Sequence, residues 1–144
     1  MDFYKILLSA HKGFAYLELG LTALFIVALL TVMFGYSGKV NKLLKKVTLF
    51  TMIFFHVQFT LGVIMLITSP GLKVVLAAGE LMKDGYRQTF VEHPFSMLIA
   101  AVLMTIINRK VKSNDTISLG IVIMGLIAVG LFAFAFPWTR VFGA

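Results

Sequence analysis

Three histidines, His11, His56 and His93, and one acid, Glu18, lie in or against long apolar stretches of the chain. An imidazole or carboxyl placed in hydrocarbon must recover its lost hydration through a metal, a polar partner or a proton path. Spacing sorts these residues onto helix faces. His11, Ala15, Glu18 and Thr22 follow the i, i+4, i+7, i+11 pattern of one face. Thr48, Met52, His56 and Thr60 share a second face, with Gln58 projecting elsewhere, and His93, Met97, Ala100 and Met104 share a third.

Each polar residue has a chemical reading and a plainer one. Glu18 can bond a histidine, bind a proton, or sit as a satisfied carboxyl between packed helices. His56 follows Lys46 by ten residues, ~15 Å of helix and close to a bilayer midplane. There it can ligate a metal, contact a quinone or tie two helices together. His93, between Glu92 and Pro94, can be a ligand or a residue of the helix boundary. No His-x-x-x-His or His-Glu-x-x-His spacing is present for zinc, and there is no Gly-rich phosphate loop or nucleophile elbow. The chain has no cysteine, which excludes disulfides, iron–sulfur clusters and covalent heme attachment through Cys-x-x-Cys-His.

The elements that must position these residues are apolar helices. Hydrophobic residues make up 60% of the 144 and charged residues 13%, far from the composition of an ordinary water-soluble domain. Four segments meet or approach the roughly 20 apolar residues of a membrane span: 13–36, 47–69, 94–108 and 117–136. The third suffices only if residues 89–93 are helical as well, or if the bilayer is locally thin. Backbone groups in lipid must be satisfied within the segment, and no alternating barrel pattern is present. The expectation is an all-α, integral membrane four-helix bundle, with residues 1–144 as one domain. The first span has no cleavage pattern after it and is expected to stay in the mature protein. Asp2 is placed to cap the first helix, Pro70–Gly71 to end the second and Pro137 to end the fourth. Residues 72–83 have the mixed polarity of a short surface helix.

The formal charge of +7 is laid out as a topology signal rather than a nucleic-acid surface. The 39–46 connection carries Lys39, Lys42, Lys45 and Lys46 with no acid, and the 109–115 connection carries Arg109, Lys110 and Lys112 against Asp115. The long connection between the second and third spans mixes both signs. By the positive-inside rule the two basic connections face the cytoplasm and both termini face outward. The chain then reads as a multi-pass protein of a bacterial inner (cytoplasmic) membrane whose first partner is the lipid bilayer, with no nucleic-acid partner.

This topology runs the first and third helices in one direction and brings His11 and His93 toward the outer end. Two histidines on facing helices can hold a heme iron between them. The small residues Gly13, Ala15, Ala100 and Ala101 can clear space for a macrocycle. Lys12 and Arg140 can pair with heme propionates, and Glu18 can add polar support. Helix tilt leaves a His56–His93 pair open as well. Gly120, Gly125 and Gly130 in the fourth span favour close helix packing.

The stretches Leu8-Ser-Ala-His-Lys-Gly-Phe-Ala-Tyr16, His56-Val-Gln-Phe-Thr-Leu-Gly62 and Val91-Glu-His-Pro-Phe-Ser-Met97 resemble small four-helix membrane proteins of Bacteroidetes-type bacteria that carry the label cytochrome b. That resemblance covers nearly the whole chain. The order His11-Lys12, Gln58…Leu61-Gly62, His93 is also similar to one four-helix half of heme A synthase, where a histidine followed by a basic residue opens one helix and a second histidine opens a later one. The resemblance implies His11 and His93 as axial ligands. The expected function is that of a b-type cytochrome with one non-covalent heme b, transferring electrons because two axial ligands leave no open position on iron. Quinone and other subunits of a respiratory or membrane complex are the expected partners, and an oligomer is compatible with the sequence. Two alternatives stand beside it. One is a heme-free accessory subunit whose buried polar residues join helices. The other is a proton or ion path through Glu18 and His56.

Overall fold

The computed structural model describes residues 2–143, with the side chain of Arg140 outside that description. Its described residues form α1 (Phe3–Gly35), α2 (Lys42–Thr68), α3 (Pro70–Ala77), α4 (His93–Ser113), α5 (Leu119–Ala135) and α6 (Trp138–Phe142). A π-helical turn, Gln88–Glu92, leads directly into α4.

Local chemistry sets the ends. Asp2 Oδ1 accepts the Tyr4 N–H at 3.3 Å and starts α1. Asn41 Oδ1 accepts the Leu44 N–H at 2.8 Å and starts α2. Ser69 ends α2 and, through Oγ, accepts the Leu72 N–H at 3.1 Å, so one residue closes one helix and caps the next. Pro70 stands at the start of α3, where its missing N–H costs nothing. That helix stops at Ala77, short of the expected 72–83, because Gly79 turns the chain with φ +67°.

Three helical stretches, α1, α2 and the continuous Gln88–Ser113, are long and apolar enough to cross a membrane. The π-helical turn supplies the residues that the third stretch lacks when counted from Pro94. The fourth is shorter than expected: α5 has 17 residues, about 26 Å of rise. Both ends of the expected 117–136 span are pulled out of the helix. Ile117 bonds across to Gly38, and Phe136 is extended ahead of Pro137.

α1 packs on α2, α2 on α4, α4 on α5, and α5 more sparsely on α1. The result is a closed ring in which α1 and α4 stand on a diagonal. Phe25, Leu29, Leu44, Phe55, Met104 and Ile107 are fully buried at its centre. The outer surface is apolar too, with Val27, Phe34, Ile67 and Val102 exposed, an inversion suited to lipid.

The two basic connections meet at one end. Val40 N–H donates to Asp115 O at 2.8 Å and Ile117 N–H to Gly38 O at 2.9 Å, forming a short bridge between Lys39 and Thr116. Gly38 has φ +79°, and a Cβ there would meet Ile117 O at 2.8 Å, so glycine is required for the clasp. His11, the π-helical turn and α6 gather at the opposite end.

Of the three glycines of α5, one is a packing residue. A Cβ on Gly125 would lie 2.6 Å from Leu29 Cδ2, whereas Gly130 has nothing within 4 Å and Gly120 meets only its neighbour Ser118. Gly125→Leu is therefore expected to overpack the α1–α5 seam and cost about 1–3 kcal/mol. Gly130→Ala is expected to hold or slightly raise stability, by about 0.5–1 kcal/mol. Thermal unfolding in detergent micelles, followed by circular dichroism, checks both.

Candidate functional site

Pro94 determines how His93 is presented. It has no N–H to donate to Phe90 O, and its ring crowds that carbonyl. The turn ahead of it is wound wider, with His93 N–H donating to Gln88 O, five residues back. The extra residue resets the helix face, and His93 points half-buried into the ring of helices. Its Nδ1 donates to Ala135 O of α5 at 2.8 Å. A carbonyl only accepts, so Nδ1 carries a hydrogen. Metal-bound imidazoles are commonly oriented by such a bond from the non-ligating nitrogen.

His11 reaches the same space from α1. The two ring centroids are 6.1 Å apart, with their planes at 76°. Two neighbours on α2 set the position of His11. Gln58 Nε2 donates to His11 O at 3.0 Å. Gly62 leaves room for the ring, since an added Cβ would already touch His11 Cε1 at 3.7 Å. His11 Nδ1 is buried with no hydrogen-bond partner among the described residues, the mark of a group whose partner the polypeptide does not supply.

About two helical turns deeper, Glu18 is 1% exposed. Of the three readings open from sequence, the structure shows a carboxyl hydrogen-bonded to the Gln58 side chain. One oxygen on each of these residues remains without a partner.

Between these groups lies a cavity of about 560 Å³, within the range of sites for flat organic ligands. Phe59, Phe90, Phe132 and Trp138 wall it, and Ala15 and Gly62 contribute its small surfaces. Gly13, Ala100 and Ala101 are not part of its lining. Lys12 is exposed and lies at the cavity, while the Arg140 side chain is outside the described residues. Tyr16 Oη donates to Val141 O at 3.4 Å and joins α1 to α6 beside it. Among the described residues, no group of three or more His, Cys, Asp and Glu is arranged for a metal ion. The chain offers a pair of imidazoles rather than a complete protein cage.

His56 lies elsewhere. It is exposed on the α2–α4 seam, where Nδ1 donates to Met52 O at 2.8 Å and Nε2 lies 3.2 Å from the Thr105 hydroxyl, which itself donates to Ala101 O. Helix geometry explains the placement. A spacing of four advances about 40° per step, so the stripe from Thr48 to Thr60 winds about 120° around the helix. Thr48 ends inside and Thr60 outside. The face that turns inward is Thr48, Thr51, Phe55 and Gln58. Gln58, Gly62 and the Ala135 carbonyl are the site groups that histidine-centred reading overlooks. The i, i+4, i+7 spacing of Thr51, Phe55 and Gln58 is the signal that locates the first of them.

No protein-family model, no curated protein and no solved structure matches the chain. The site is defined by its geometry. Pro94→Ala removes the cause of the wide turn, so the ladder is expected to close to four-residue spacing and turn His93 off its carbonyl. Loss of the Nδ1-protonated tautomer of His93 in ¹⁵N NMR, together with about 1 kcal/mol of stability from the missing hydrogen bond, is the expected outcome.

Proposed function

We propose that the chain is a four-helix integral membrane cytochrome of the b type, holding one non-covalent heme b between His11 and His93. The observation that carries this reading is the pair of imidazoles facing each other across a cavity. Two imidazoles sharing one first-row metal at about 2 Å per bond have ring centroids roughly 6 Å apart, and these stand at 6.1 Å. Three further features support it. His93 is oriented by its Nδ1 bond to Ala135 O, His11 has a buried nitrogen with no partner among the described residues, and the cavity walls are aromatic.

When bound, such a heme would be held by His11 and His93 and would supply one-electron chemistry. The chain's own residues do the rest. Ala135 O orients His93, Gln58 and Gly62 position His11, and the aromatic side chains give the macrocycle an apolar wall. Lys12, at the edge of the cavity, is placed to pair with a propionate. Seven basic side chains, from Lys39 to Lys46 and from Arg109 to Lys112, gather at the other end. By the positive-inside rule this supports a cytoplasmic side for that end in a bacterial inner membrane, with the heme and both termini toward the outer side. A quinol or another subunit of a membrane complex supplies the electron.

The test is a reduced-minus-oxidised absorption spectrum after purification in mild detergent with heme supplied. A low-spin spectrum is expected for the wild type and for His56→Ala, and its loss for His11→Ala and His93→Ala. Absence of Soret absorbance in the wild type, with stoichiometric co-purifying partners, would instead establish the accessory-subunit reading.

A further inference from the structure

Among the described residues, five buried side-chain atoms have no hydrogen-bond partner: His11 Nδ1, Glu18 Oε1, Gln58 Oε1, Thr22 Oγ1 and Thr48 Oγ1. They form a column. α1 rises about 10 Å from His11 to Glu18 and about 6 Å more to Thr22. α2 runs the opposite way. Its Gln58 bonds His11 O, and its Thr51 hydroxyl lies 3.5 Å from Leu21 O, which brings Thr48 to the level just past Thr22. Glu18 and Gln58 line the cavity, and both are more than nine-tenths buried. Beyond Thr48 the column stops against Phe25, Leu29, Leu44, Val47 and Met104, all buried and apolar. Buried polar atoms that lack protein partners hold internal water; along the column the polar groups lead to the cavity that Glu18 and Gln58 line, while Thr22 also borders a separate apolar recess between α1 and α5.

We propose that Glu18 is a proton-binding site open to the cavity end alone, and that it binds one proton when one electron is added at the His11–His93 pair. The second half rests on the heme reading above; the first does not. The balance is simple. The electron, from a quinol or from dithionite in vitro, reduces ferric iron to ferrous. The proton comes from water at the cavity mouth and forms an O–H bond on the Glu18 carboxylate. The two charges lie ~10 Å apart along α1 in a poorly screening interior, so each favours the other. The titratable groups sharing this space are Tyr4, His11, Lys12 and Tyr16 on α1 and His93 on α4. α2 contributes only the Gln58 amide, the π-helical turn contributes Gln88, Thr89 and Phe90, and α5 contributes no titratable group among the described residues. On α6 the Arg140 side chain is outside the description. Of these groups Glu18 is the carboxyl, and it has an oxygen with no partner.

Three measurements test this. In the heme-loaded protein, the midpoint potential of the wild type is expected to fall as pH rises. The steepest slope approaches ~59 mV per pH unit, the value for one proton and one electron. Glu18→Gln is expected to flatten the slope and Glu18→Asp to restore it, which a merely structural role for Glu18 would not do. A slope that is absent from the wild type, or equal in Glu18→Gln, overturns the coupling. In heme-free protein, infrared titration is expected to show a carboxyl band that changes with pH and is missing from Glu18→Gln; absence of that band overturns the proton site itself. In liposomes loaded with a pH-sensitive dye, the wild type is expected to leak protons no faster than empty vesicles. A leak abolished by Glu18→Gln overturns the closed end. A preparation that takes up no heme sinks the heme reading and the coupling, and leaves the infrared titration to decide the proton site.

Discussion

Inside hydrocarbon a polar side chain has only the protein to bond to, and the His93–Ala135 hydrogen bond is where that constraint organises the molecule. Pro94 forbids a regular turn ahead of α4, the wide turn swings His93 inward, and the imidazole finds the carbonyl at the last residue of α5. That carbonyl is one of the four that any helix leaves without an intrahelical partner. A defect at the start of one helix thus satisfies a defect at the end of another. Pro137 ends α5, and the bond ties that end to α4 beside the cavity that α6 also lines.

The bundle is divided along its length. Toward the basic end it is dry and tightly packed, with Leu29 against Gly125 and the Gly38 clasp holding two connections together. Toward the other end, packing gives way to a cavity and to polar atoms with incomplete bonding. Close packing of the first kind supplies stability, since helices in lipid associate through van der Waals contact rather than by removing apolar surface from water. The open half spends part of it on holding polar groups where a ligand can reach them. One amide joins the two regimes: Gln58 bonds the His11 backbone and the Glu18 carboxyl, and so sets the spacing between the imidazole pair and the polar column below it.

Much of the fold was legible where the determining physics is local. The Asp2 cap and the stop at Ser69 both follow from one residue and its immediate neighbours. That His11 and His93 lie at one end was readable from chain direction. The faces of α1 and α4 were readable because their polar residues sit in helices with few other polar residues. α2 was not, because it is apolar around its whole circumference, and a histidine drew more weight than the glutamine two positions later. The length of α5 was also hidden. Ile117 leaves the helix to bond Gly38, a residue 79 positions away in the chain, and composition carries no trace of that contact. The widening of the turn before Pro94 was equally silent: proline signals a missing donor but not which neighbouring carbonyl is skipped.

The most direct measurement is low-temperature EPR of the oxidised, heme-loaded protein, because it reports both the number of axial imidazoles and the angle between their planes. With the planes at 76°, a highly anisotropic low-spin signal is expected, and it should disappear in both His11→Ala and His93→Ala. A high-spin signal in the wild type would contradict a single iron shared between α1 and α4, and a rhombic low-spin signal of the kind given by parallel imidazoles would contradict the angle at which the two rings are held.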